Sequence, residues 1–210
     1  GNFVRKHSYV DMDYVYGTLS NTDGEDPLDF DALMANPAEY FAVACNVEPG
    51  EPVYLDKSCI TRDHYDVCKA SCALPVACHP YEAGGVLCLD GGMADPVPIQ
   101  KAFDDGCDKV VLILTKPRDT VRQAKDDAIF AKLLRLRYPK AAAQLALRYK
   151  KYNDGVALAK EYEKQGKLLI VAPDSIGNLT TLGRTKEDLD MLYEKGLKDG
   201  QQIKAFLERM

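Results

Sequence analysis

The chain has 210 residues, 46% hydrophobic and 28% charged, which suits a compact globular unit with a sizeable core. Its net charge of -5 excludes a general electrostatic attraction for nucleic acid or anionic surfaces, and the cluster Arg148, Lys150 and Lys151 reads as a solvated helix face. Apolar runs such as Val110 to Leu114 fall far short of the roughly 20 residues that cross a bilayer, so no transmembrane segment is expected, while peripheral membrane contact stays open.

Residues 1 to 20 are rich in tyrosine and valine and read like the middle of a longer sequence. The acidic, turn-rich stretch Asn21 to Asp31 leads into a short helix predicted over Phe30 to Met34, stopped before Pro37. Tyr40 to Val47 is a buried-strand candidate, and Pro49-Gly50 turns it into Val53 to Leu55 as a hairpin. Arg62 to Ala73 has helical character and ends at Pro75. Gly85 to Leu89 predicts a short strand running directly into Asp90-Gly91-Gly92. Pro96 and Pro98 suit the first turn of a helix that Gly106 stops.

Lys109 to Thr115 is a near-continuous apolar run, the pattern of a strand buried on both faces. Helical stretches follow around Val121 to Leu136 and Lys140 to Gln165, with Gly155 a weak point in the second and Gly166 ending it. Lys167 to Ala172 predicts another buried strand. Thr185 with Asp188 makes an N-terminal capping pattern for Lys186 to Lys195, and a last helix puts Ile203, Phe206 and Leu207 on one face. Strands alternating with helices predict an α/β layered fold with a mostly parallel central sheet flanked by helices.

The segment richest in chemistry is Leu89 to Pro98. An ionisable residue at the C-terminal end of a buried strand stands where α/β sheets place catalytic groups, and two glycines allow close backbone approach. Taken alone, Asp-Gly-Gly is also an ordinary turn.

The surrounding order of segments resembles the patatin-like phospholipase family. It comprises the strand Tyr40 to Val47 with its Gly50-Glu51-Pro52-Val53 turn and the helix ending Ala70-Ser71-Cys72-Ala73-Leu74-Pro75. Next come the Asp90-Gly91-Gly92 strand end with its proline-led helix and the strand Val110 to Thr115 entering Lys116-Pro117-Arg118. Asp95 to Pro98 reads Asp-Pro-x-Pro, which is similar to the bacterial members.

The resemblance implies a hydrolase of lipid or small carboxylic esters, without a cofactor, in which a Ser–Asp dyad replaces the usual triad. Asp90 matches the family's aspartate, with Gly91, Gly92 and Ser71 supporting or lining the site. The three histidines His7, His64 and His79 are compatible with this chemistry. The family's nucleophile lies in a Gly-x-Ser-x-Gly elbow, and neither that pentapeptide nor a glycine-rich oxyanion loop occurs in the 210 residues.

The expectation is therefore the C-terminal part of a single patatin-like domain spanning 1–210, with nucleophile and oxyanion loop upstream, and inactive by itself. Its sheet would be covered by the missing N-terminal segment or by self-association. The alternative is a non-catalytic binding or regulatory module, or a degenerate relative.

Other clusters read more plainly. His64, Cys68 and Cys72 recur at i, i+4 and i+8, a buried stripe rather than a metal site. The seven cysteines, an odd number without framework spacing, fit a reduced cytoplasmic setting. Asp23, Glu25, Asp26, Asp29 and Asp31 lack calcium-loop spacing. Ser175, beside Asp174 and Gly177, is a turn signature, and Lys116, Arg118 and Arg122 read as solvated loop charges.

Overall fold

The computed structural model describes residues 11–177 and 185–208, so His7 and the opening residues lie outside it. The chain divides into two compact units. The first takes residues up to Pro96 together with Gln123–Lys151, and the second Val97–Arg122 with the residues from Tyr152 onward.

In the first unit α1 (Met12–Tyr14) continues into a π-helical turn, Val15–Leu19, and α2 spans Phe30–Ala35. Asp29 starts α2, its carboxylate accepting from Ala32 N at 2.9 Å. Strands β1 (Phe41–Asn46) and β2 (Pro52–Asp56) form the expected hairpin, followed by α3 (Asp66–Cys72). β3 (Tyr81–Ala83) and β4 (Val86–Asp90) form a second hairpin that sequence reading missed on its first strand. Gly84 and Gly85 join them with φ of 59° and 77°, the paired left-handed geometry of a type I′ turn, which disfavours side chains.

The four strands form one sheet in the order β2-β1-β4-β3, antiparallel throughout. The mixed α/β character holds, but this sheet does not run parallel. Apolar runs do not fix strand direction, nor burial on both faces, since Val110–Leu112 are half-buried and Ile113 is 66% exposed. Here α3 packs on β1 and β4, while the core they share also takes in Ala141, Ala142 and Leu145. Continuous apolar strands result without parallel pairing. Ala44, Cys45, Cys88, Leu89 and Leu145 are all buried to 1% exposure or less. The unit also holds α5 (Ala128–Leu134) and the start of the long helix α6 (Pro139–Lys164).

In the second unit α4 (Ile99–Asp104) precedes β5 (Val110–Ile113), which pairs in parallel with β6 (Leu168–Val171). Among the described residues this is the sole parallel pair of named strands. The later half of α6 supplies Tyr152, Val156 and Ala159 to a core with Val97, Ile99, Leu114, Leu168 and Ile170. Helices α7 (Lys186–Gly200) and α8 (Gln202–Glu208) follow. Thr185 and Asp188 form the expected capping box, with bonds of 3.2 and 3.1 Å. Among the described residues no helix is long and apolar enough to cross a membrane.

Candidate active site

β4 ends on Asp90, whose backbone N–H donates to Ala73 O at 2.9 Å, tying the strand end to the end of α3. One carboxylate oxygen of Asp90 accepts from Gly92 N at 2.7 Å and opens a 3-10 turn over Gly91–Met93. The half-buried carboxylate is thus oriented by backbone.

Gly91 is imposed by packing. A Cβ there would stand 2.1 Å from Val43 O and 2.4 Å from Val43 C, inside any contact a side chain tolerates. The same Val43 carbonyl accepts the Ser71 hydroxyl at 2.7 Å. Ser71, Gly91, Gly92 and Asp90 therefore gather around one point of β1, and the Ser71 proton is engaged by that carbonyl.

The residues after Gly92 are held as firmly. Ala94 N and Asp95 N donate to Gly91 O at 3.0 and 2.9 Å. Lys151 Nζ donates to Ala94 O and to Gln144 Oε1, both at 2.6 Å. Tyr54 Oη donates to the Asp95 carboxylate at 2.5 Å. Sequence reading missed Lys151, Tyr54 and Val43 as supports. In sequence Lys151 is indistinguishable from the surface charges beside it, and a lysine aimed at a backbone carbonyl leaves no sequence signal.

Beneath the strand end, burial pushes the Cys45 thiol up to about 12, helped by the Cys88 thiol, while the Lys151 ammonium opposes the shift and the Asp90 carboxylate adds to it. Burial pushes Cys88 up to about 11. Both are protonated apolar filling at neutral pH. All seven cysteines are free thiols. Chemically, the strand end offers a fixed carboxylate able to accept a proton from a group approaching it.

The other sequence candidates are dispersed. Cys72 Sγ meets Tyr16 Oη at 3.7 Å and Cys68 Sγ meets Tyr40 Oη at 4.0 Å, while His64 bridges to Thr61. Asp31 pairs with Arg62, and Arg118 pairs with Glu163. Arg122 lies over the Tyr152 ring at 4.6 Å. Ser175 Oγ accepts from Gly177 N at 3.1 Å, as a turn requires.

Residues 3–103 match the family described as patatin-like phospholipase. Residues 138–210 match a domain of unknown function, DUF6363. Among curated proteins the chain is similar to the uncharacterized protein YjjU of Escherichia coli strain K12, 29% identical over 122 residues. That match covers 55% of this chain and 32% of the relative, so the chain spans about a third of that protein's length.

Proposed function

We propose, from the match of residues 3–103 to the patatin-like phospholipase family, that the chain is part of a lipid acyl hydrolase in which Asp90 is the base of a Ser–Asp dyad. The carrying observation is the carboxylate at the end of β4, oriented by the Gly92 amide within the family-matched segment. A serine in a Gly-x-Ser-x-Gly elbow, which the 210 residues do not hold, attacks the ester carbonyl. Asp90 takes the hydroxyl proton as the serine–carbonyl bond forms. It returns that proton to the departing alcohol when the acyl-enzyme forms, and water repeats the cycle. Gly91 and Gly92 fix the turn, and Ser71 supports it through Val43.

On this reading the 210 residues hydrolyse nothing alone, and a mostly parallel central sheet needs strands beyond the six described. Free thiols throughout support a reducing, cytoplasmic setting. The substrate class is carboxylic esters of lipids or small alcohols, and no cofactor is required.

The test is fluorophosphonate labelling with the adduct located by mass spectrometry. The expected result is an adduct on the elbow serine of the protein containing that motif, lost in Asp90→Asn, and none on the 210-residue chain. Labelling of Ser71 or Ser175 would overturn the assignment. A protein carrying no elbow that binds lipid esters without turnover would favour the binding-module alternative.

A further inference from the structure

The first unit carries an outward apolar crest that its core does not use. Ala131 and Leu134 of α5, with Tyr138 just beyond, are buried and pack inward at i, i+3 and i+7. Away from that core Ile129 and Leu133 stand at i and i+4 on α5 with Phe130 beside them, and Leu136 lies in the turn just beyond. They are 65%, 50%, 43% and 89% exposed respectively. Such a cluster of large apolar side chains on a short segment marks a contact surface rather than scattered surface leucines.

The charge around the crest is one-sided. From Ala128 to Lys151 the chain has basic residues at 132, 135, 137, 140, 148, 150 and 151 and no acidic residue, within a molecule of net charge -5. Arg148 and Lys151 turn to internal partners, Asp127 at 3.1 Å and Ala94 O at 2.6 Å. Lys132, Arg135, Arg137 and Lys140 stay exposed. Lys132 on α5 and Arg137 in the turn that follows it stand beside the apolar residues of the crest. Long cationic side chains bordering exposed leucine, isoleucine and phenylalanine form the pattern of an interfacial segment that seats apolar groups among acyl chains and ammonium or guanidinium groups among phosphates.

Beside the crest lies a hollow of about 580 Å³, lined mostly by apolar side chains including Val76, Leu89, Leu133 and Tyr138, with Arg137 and His79 as polar members. Leu133 and Arg137 thus belong to both crest and hollow, and Leu89 immediately precedes Asp90.

We propose that residues 128–140 dock this unit onto anionic lipid surfaces. Two copies pairing through this face would set cationic flanks against cationic flanks, which disfavours a second chain as the occupant. The inference deepens the lipid-ester reading, naming the surface on which such a substrate is met.

The experiment is co-sedimentation of the full chain with vesicles of phosphatidylglycerol and phosphatidylcholine, compared with phosphatidylcholine alone. The expected result is binding to the anionic vesicles, weakened by high salt. Leu136→Glu and Lys132→Glu/Arg135→Glu should each reduce it about tenfold, with unchanged thermal unfolding. Leu136 is almost fully exposed, so its replacement does not threaten folding. Binding that ignores these substitutions, or absent binding, overturns the proposal. A dimer in light scattering that Leu136→Glu dissolves would assign the crest to a second copy, also overturning it. Asp90→Asn should bind vesicles normally in this chain while abolishing hydrolysis in the elbow-containing protein, so failure of the docking proposal and failure of the hydrolase reading remain separable.

Discussion

The strand ends of the two units show how differently one chain treats charged residues in similar topological positions. At the end of β4 the backbone does the holding. Asp90 accepts from Gly92 N, Gly91 abuts the Val43 carbonyl, and Ser71 secures that carbonyl from α3. At the ends of β5 and β6 the side chains satisfy one another. Arg118 reaches Glu163, Lys160 reaches Asp119 at 2.7 Å, and Lys195 reaches Asp174, around a hollow of about 500 Å³. Strand ends of α/β proteins are favoured ligand sites, yet position alone does not make one. In the proposed role a carboxylate fixed by backbone geometry is held for proton transfer, whereas mutually neutralised charges at an exposed rim contribute little.

This contrast breaks first at Gly91. Gly91→Ala inserts a methyl group against the Val43 carbonyl and should cost about 3 kcal/mol, read by urea unfolding. A near-neutral result would mean that the turn is not close-packed. Ser71→Ala removes one partly buried hydrogen bond and should cost about 1 kcal/mol while leaving most esterase activity in the elbow-containing protein. Complete loss of activity with normal folding would make Ser71 a catalytic group.

The buried thiols give a pH test. Unfolded thiols ionise at about 8.5. The folded values are raised to about 12 for Cys45 and about 11 for Cys88, so folding favours their neutral forms. Their contribution is complete below about pH 8.5 and is lost as pH rises toward the folded values. Thermal unfolding should therefore hold steady from neutrality to about pH 8 and decline above about pH 9. Cys45→Ala with Cys88→Ala should flatten that decline. The smallest effect belongs to the second unit, where Arg118→Ala should change stability by no more than about 0.5 kcal/mol.

Much of this was legible in sequence because local signals were strong. Pro49-Gly50 marked the β1–β2 hairpin, Thr185 and Asp188 the cap of α7, and Gly166 the end of the long helix. Asp90 stood out because an apolar run stopped on a carboxylate. Strand direction was not legible, since burial on both faces produces the same apolar runs in parallel and antiparallel strands. β3 has only three residues, too few for a periodic signal. The supports from Tyr54 and Lys151 reach across 41 and 57 positions, and Lys151 ends on a main-chain oxygen, which no residue pattern encodes. Gly155, read as a weak point of the long helix, is instead a contact. A Cβ there would stand 2.8 Å from Val97 Cβ.

The most direct test of the account is kcat/KM for a carboxylic ester, measured for Asp90→Asn beside the unaltered protein in the form that contains the elbow serine. The account predicts a fall of at least about a hundredfold with unfolding temperature essentially unchanged. Activity within a few-fold of the unaltered protein, in a variant that folds normally, would contradict the role given to Asp90.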